Sequence, residues 1–415
     1  MARLLRREKQ RLGKLVSTEM GKVLREGVGD VQEAIDVFEY MGGEGRRLLG
    51  FTTPSELPHK TCYTFRMPLG VVGLITPWNF PVAIPAWKAS AALICGNGVV
   101  LKPSSDTPLC AYELVKICEE AGVPAGVMNM VTGSGEEAGT ALIEHPAVRG
   151  ISFTGSRATG EFVAQHAGLK KLGLEMGGKN PILVMDDADL ELALEGVIWG
   201  AFGATAQRCT AASRVVVQES IADEFTEMLV RKAEKLRVGD PVKESTEIGP
   251  LINKRAVEKV HAYTAIGKKE GACLLCGGEA GKGKGFFYKP TVFSHVKPSM
   301  RIAREEIFGP SVSVLRVKSL HEGIAVCNNV EYGLSSSIYT KNITNAMLAI
   351  ECIETGITYV NSSTIGAEVH LPFGGVKKTG NGTREAGLLG IDEFSEVKVA
   401  YIDYSGRLQK AQGMK

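Results

Sequence analysis

The chain has no run of about 18 consecutive apolar residues, the length that a membrane-spanning helix requires. Its richest stretch, "PVAIPAWKASAALICGNGVVL", is broken by Pro85, Lys88, Gly96 and Asn97. No membrane helix is expected. Nor is there an excess of one charge: 48 basic residues face 46 acidic ones, a net of +2. A nucleic-acid binder needs a clustered basic surface, so no nucleic-acid partner is expected. The opening basic run (Arg3, Arg6, Arg7, Lys9, Arg11) is interleaved with Leu4, Leu5, Leu12 and Leu15. It reads as the solvated face of an amphipathic helix. The start also lacks the apolar core of a signal peptide. Nine cysteines, an odd number lying mostly in apolar runs, fit free thiols in a reducing cytoplasm. Cys273 and Cys276 form a CxxC, but no second pair or spaced histidines accompany it. A metal site is not expected. The strict dinucleotide fingerprint is missing too: "GSGEEAG" (133–139) is one residue too long.

What is present points to an α/β enzyme. A length of 415 residues suits two or more domains. Short apolar runs followed by turn signals read as buried strands: 70–77, 96–103, 127–133, 148–156 and 181–185. Helical patterns lie between them. The segment 108–122 opens with Pro108 and closes at Gly122, as helices often do. Strands alternating with helices predict a parallel sheet, which places ligands at the carboxyl ends of its strands. The pattern repeats in the second half, with strands at 213–218, 311–317, 335–340 and 356–361. The segment 222–239 reads as an amphipathic helix ending at Gly239. "GGEAGKGKGFF" (277–287) reads as an exposed turn. "SEVKVAYI" (395–402) alternates like a strand with one covered face, and Ser405–Lys415 reads as a polar tail.

Four local motifs could carry chemistry. "TGSRATG" (154–160) is a glycine turn feeding a helix, a possible phosphate cradle. "GLEMGGKNP" (173–181) puts Glu175 beside a flexible double glycine, suiting either a general base or a solvated turn residue. "TPWNFP" (76–81) holds Asn79 between prolines, where its amide could serve an oxyanion or simply a turn. "AQRCTAA" (206–212) holds Cys209 beside Arg208, with no histidine nearby in sequence.

Taken together the motifs are highly specific. "GVVGLITPWNFPVAIPAWK", "GNGVVLKPSSDTP", "FTGSRATG", "LEMGGKNP", "AQRCTAASR", "EEIFGP", "YGLSSSIYT" and "LPFGGVKKTGNGTREAG" follow one another along nearly the whole chain. In this order they resemble the aldehyde dehydrogenase superfamily. The resemblance implies a Rossmann-type cofactor domain over 1–177, with an oligomerisation strand at 57–66 and completion by 379–393. An α/β catalytic domain would span 178–378, a second oligomerisation strand 394–404, and a tail 405–415. It implies Cys209 as nucleophile, Asn79 as oxyanion donor and Glu175 as the base that activates water. It also implies a nicotinamide dinucleotide held by Ile75, Thr76, Pro77, Trp78, Gly155 and Ser156, with Glu306 and Phe308 at the nicotinamide ribose and ring. Lys102, Ser104, Ser105 and Gly135 would serve the adenosine end.

Where NAD-preferring members of the family often carry a glutamate, this chain has Ser105. NADP is therefore expected to serve at least as well as NAD. "AQRCTAASR" and "PWNFPVAIPAWK" resemble the branch that oxidises 2-oxoglutarate semialdehyde and similar carboxylate-bearing aldehydes, and Arg208 could meet such a carboxylate or be structural. A homodimer or homotetramer is expected. The family usually starts with a longer N-terminal segment. Rival readings are an inactive homologue with a short N-terminus, an acylating dehydrogenase, and a cofactor-free cysteine hydrolase.

Overall fold

The computed structural model describes residues 1–281 and 283–412. Lys282 of the glycine-rich turn and residues 413–415 of the polar tail lie outside them. Three larger sheets organise the described residues, beside a two-stranded pair of Tyr332–Gly333 with Val376–Lys377. The first has five parallel strands in the order Met128–Met130, Gly98–Lys102, Val71–Ile75, Val148–Thr154, Lys171–Glu175. Its central strands run to near-continuous apolar residues because helices cover both faces. One face carries Ala83–Ile94 and Pro108–Glu120, with Leu5, Val31, Trp87 and Leu114 in a shared core. Pro108 sits in the first turn of its helix, and Gly122 follows its end at a φ of +87°. Both termini stand where the residue types predict.

The first two helices, Ala2–Met20 and Leu24–Glu44, fold back on each other and onto this core. Gly27 allows the close crossing: a Cβ there would lie 2.4 Å from the Gly13 carbonyl oxygen. The basic face of the first helix is solvated, but it is also paired. Arg7 reaches Glu120 at 2.8 Å and Arg11 reaches Glu113 at 2.7 Å.

The second sheet has seven strands, ordered Cys273–Cys276, Thr291–Ser294, Ser311–Val317, Ala212–Gln218, Asn180–Val184, Ser335–Tyr339, Ile357–Val360. All pairings are parallel except that of the Cys273–Cys276 edge. The helix beginning at Ala222 ends at Glu234 rather than at Gly239. Its would-be last turn instead hydrogen-bonds a neighbouring segment: the Arg237 carbonyl accepts from the Glu247 and Ile248 N–H groups, and Val238 bridges Ile248.

The third sheet is antiparallel: Thr52–Pro54, Lys60–Pro68 and Ser395–Asp403. Alternation at 395–402 predicts one covered face. The described residues cover neither face fully: Val397, Val399 and Tyr401 stand exposed on one face, where Cys62 and Ser395 are buried, and Tyr63, Phe65 and Met67 stand exposed on the other. Arg66 pairs with Asp392 and the Phe51 N–H donates to Thr64 Oγ1 at 2.7 Å, but these contacts leave the ribbon's apolar side chains open.

Candidate active site

The two large sheets meet with opposite ends. The first offers the carboxyl ends of its strands: residues 76–79 after Ile75, Gly155 and Ser156 after Thr154, and Glu175 itself. The second offers amino ends: Cys209 precedes the strand Ala212–Gln218, and Glu306 and Phe308 precede Ser311–Val317. The carboxyl-end rule thus holds for the first sheet only.

Cys209 follows a strained turn. The helix Leu190–Phe202 gives way to Ala204, Thr205 and Ala206 at φ values of 49°, 57° and 57°. Three consecutive left-handed non-glycine residues cost roughly 1–3 kcal/mol each, so neighbours must enforce them. The Ala204 N–H donates to Glu26 Oε1 at 2.8 Å, and Thr205 Oγ1 donates to the Gly249 carbonyl at 3.0 Å. Beyond them, Gln207 Oε1 accepts from the Ile252 N–H at 2.9 Å. On the other side, Asn180 Nδ2 donates to the Cys209 carbonyl at 2.7 Å. The thiol is thereby placed between two cavities and lines both.

Asn79 is buried and lines the first cavity. One N–H of its amide donates to the Gln207 carbonyl at 3.0 Å. The second N–H of that amide remains for another acceptor. Arg208 does not turn to the thiol. It pairs with Glu26 at 3.3 Å and lies 5.3 Å from the Phe80 ring centre. Burial, with Glu175, Glu306 and Glu385 nearby, pushes the Cys209 thiol up to about 12. The thiolate therefore needs added positive charge to form at neutral pH.

Glu175 lines the second cavity. It is buried, and neither carboxyl oxygen has a hydrogen-bond partner. Burial, then Glu385 and Glu393, hold its pKa well above the ordinary 4.5, against the pull of Lys88. Behind it Lys88 and Glu385 form a buried ion pair, and Lys88 Nζ also donates to Ser152 Oγ at 2.7 Å. Sequence reading missed Lys88, Glu385 and Glu393. Lys88 and Glu385 lie in segments quoted for other reasons, Glu393 in none, and nothing local marks them as converging on Glu175.

The first cavity fits a nicotinamide dinucleotide. Pro77, Trp78, Asn79, Gly155, Ser156, Glu306 and Phe308 line it with Cys209. Trp78 and Phe308 meet edge to face at 5.4 Å, and Phe308 adopts a φ of 60° to do so. Ser156 caps the helix Arg157–His166, whose amino end favours anions. Glu306 Oε1 accepts from the Gly178 N–H at 2.9 Å, leaving the other oxygen for a ligand hydroxyl. Gly177 is required here: a Cβ would lie 2.4 Å from Glu306 Oε2. Ala256 and Lys259 also line the cavity, from a helix that no motif signalled.

The remaining expected cofactor residues stand elsewhere. Ile75 is half-buried at the end of its strand and Thr76 is buried after it, neither lining the first cavity. Lys102, Ser104, Ser105 and Gly135 gather outside the first cavity. The Lys102 stem lies 3.8 Å from where a Gly139 Cβ would be, and Ser105 Oγ donates to the Gly133 carbonyl at 3.1 Å. Asp106 Oδ1 accepts from Asn253 Nδ2 at 3.3 Å. Gly135 has open space above it.

With this geometry, comparison with known proteins is decisive. The aldehyde dehydrogenase family model matches residues 1–400. The chain belongs to the aldehyde dehydrogenase family. It is 42% identical over 407 residues to the alpha-ketoglutaric semialdehyde dehydrogenase of Bacillus subtilis (strain 168), covering 97% of this chain and 83% of that one. It is also 42% identical over 395 residues to a 1-pyrroline-5-carboxylate dehydrogenase of Geobacillus sp. (strain WCH70), covering 93% and 76%. A solved NAD-dependent aldehyde dehydrogenase from Sinorhizobium meliloti superposes with a TM-score of 0.95 at 40% identity, covering 99% and 82%. This aldehyde dehydrogenase is thus an oxidoreductase acting on small-molecule aldehydes with a nicotinamide cofactor. No helix among its described residues is long and apolar enough to cross a membrane.

Proposed function

We propose that the chain oxidises a carboxylate-bearing semialdehyde, such as 2-oxoglutarate semialdehyde, to the acid through a Cys209 thioester. The observation that carries this reading is the position of Cys209 between two cavities. One holds Asn79, Gly155 and Glu306; the other holds Glu175. NAD(P) supplies, when bound, the hydride acceptor and a positive charge. The residues of the chain do the rest. Cys209 Sγ gives its proton to solvent and bonds the aldehyde carbon. The free N–H of the Asn79 amide and the Cys209 backbone N–H receive the oxyanion. Once the carbon is at the acyl level, Glu175 takes a proton from water as the water oxygen attacks the thioester. The acid leaves and the thiol is restored. Glu175 supports hydrolysis over transfer to another acyl acceptor. The semialdehyde assignment is supported by the Bacillus subtilis relative and by Arg208 on the wall of the second cavity.

For the cofactor, we assign NADP at least the efficiency of NAD. Neither Ser104 nor Ser105 brings a carboxylate to repel a 2′-phosphate, and Asn253 engages the Asp106 carboxylate. Lys102 Nζ donates to the Pro103 carbonyl at 3.0 Å and keeps further N–H donors for an anion. An aldehyde panel run with both cofactors tests the whole assignment. The semialdehyde should lead the panel and NADP should support turnover. Ser105→Glu should move the NADP/NAD ratio of kcat/KM toward NAD by about tenfold, as a repulsive element does. An unchanged ratio would remove position 105 from ribose recognition.

We also propose a homodimer or a tetramer built from dimers. The bare ribbon of Lys60–Pro68 and Ser395–Asp403 supports this, because an apolar edge left open invites pairing. Light scattering at micromolar concentration should give two or four times the chain mass. An active monomer is the contrary outcome. Nine free thiols fit a reducing, cytoplasmic setting.

A further inference from the structure

The cavity that holds Glu175 has an outer end. Glu33 and Arg208 line it beside Phe80 and Trp199, and the same four residues also line the space outside it. Glu33 and Arg208 therefore stand where the tail of an aldehyde held at Cys209 would lie.

The charges there do not balance. Lys22 and Asp30 are fully buried and pair at 3.0 Å. Arg208 pairs with Glu26 at 3.3 Å. The Phe80 ring is shared by both cations, 3.6 Å from Lys22 Nζ and 5.3 Å from the Arg208 guanidinium. Two cations are thus matched by two carboxylates. Glu33 is the third carboxyl, half-buried, and it has no hydrogen bond or ion pair of its own among the described residues. The other groups acting on it are spread over several elements. Asp30 and Asp36 oppose its ionisation from its own helix, while Lys22 and Arg208 favour it. Arg25, Glu26, Glu195, Lys232 and Glu247 line the outer space, and Glu175 and Glu385 the inner end.

We propose that Glu33 sets the charge that the aldehyde tail can carry. Ionised, its carboxylate repels an anionic tail brought to the Arg208 wall. Protonated, its O–H donates to a tail carboxylate lying beside the Arg208–Glu26 pair. An ionised carboxyl can only accept a hydrogen bond, so the switch from acceptor to donor turns a repulsive contact into an attractive one. Burial pushes the Glu33 carboxyl up to about 7, which places the switch near neutrality. This inference rests on the carboxylate-bearing substrate proposed above, but its test does not.

The test is the ratio of kcat/KM for 4-oxobutanoate to that for butanal, which differ by a carboxylate in place of a methyl. Titration of Cys209 or Glu175 acts on both aldehydes and cancels in the ratio. In the parent the ratio should fall about tenfold between roughly pH 6 and pH 8.5, through KM of the anion, the scale of a like-charge contact. In Glu33→Gln it should stay near its low-pH value throughout. A parent ratio that is flat with pH overturns the proposal, and so does a Glu33→Gln ratio that follows the parent's. The parent measurement stands alone if the variant fails to fold. Failure to oxidise 2-oxoglutarate semialdehyde would overturn the substrate assignment and leave this ratio readable.

Discussion

Cys209→Ala is expected to abolish aldehyde oxidation and to leave dinucleotide binding intact. The thiol lines both cavities, but Trp78, Gly155, Ser156, Glu306 and Phe308 form most of the first without it. No other cysteine of the described residues lines either cavity. Cys95, Cys110, Cys118, Cys276 and Cys327 are buried away from the site, with thiols pushed up by burial. Stopped-flow absorbance of the reduced cofactor should show neither burst nor steady rate, while quenching of protein fluorescence by NADP persists. Turnover at the parent rate would end the assignment. The raised thiol adds a second readout. In cofactor-free protein, alkylation of Cys209 should be slow at neutral pH and accelerate as pH rises toward about 12, because only the thiolate reacts. Adding oxidised dinucleotide should accelerate it at neutral pH, since a cation stabilises the thiolate.

Glu175→Gln should separate the two halves of the reaction. The amide keeps the volume but cannot accept a proton from water. A burst of reduced cofactor should appear and then stall, with the steady rate lower by ~10²–10⁴-fold, the usual worth of one general base. A steady rate equal to the parent's would place the base elsewhere. The same substitution has an opposite effect on stability. The folded-state pKa of Glu175 lies well above the ordinary 4.5, so the native protein holds a proton that the unfolded chain releases. That contribution weakens the fold as pH rises above 4.5 toward the folded value. The amide of the variant does not titrate, so the variant should melt higher than the parent at pH above neutrality. A residue that serves only packing would show neither the burst nor the higher melting temperature.

Much of the fold was legible because parallel strands buried on both faces spell themselves as apolar runs. Val71–Ile75, Gly98–Lys102, Val148–Thr154 and Ala212–Gln218 all fall on the segments read as strands, the last beginning one residue earlier than read. The helix Pro108–Glu120 was bounded by its own proline and glycine. The helix from Ala222 was read too long because Arg237 and Val238 gain more from bonding the distant residues 247 and 248. Local propensity carries no record of that partner.

The site divides in the same way. Residue order alone pointed to the family and to Cys209, Glu175 and Asn79, since those motifs are contiguous and survive as strings. What they do to one another required the folded chain. The left-handed turn at Ala204–Ala206 is disfavoured locally and exists because Glu26 and Gly249 hold it from afar. Arg208 adjoins Cys209 in sequence, yet it serves Glu26 and Phe80, because successive side chains diverge. Lys88, Glu385 and Glu393 converge on Glu175, although Lys88 and Glu385 lie 297 residues apart. Their charges set its pKa across space, through burial and Coulomb interaction, and neither quantity is written in the order of residues.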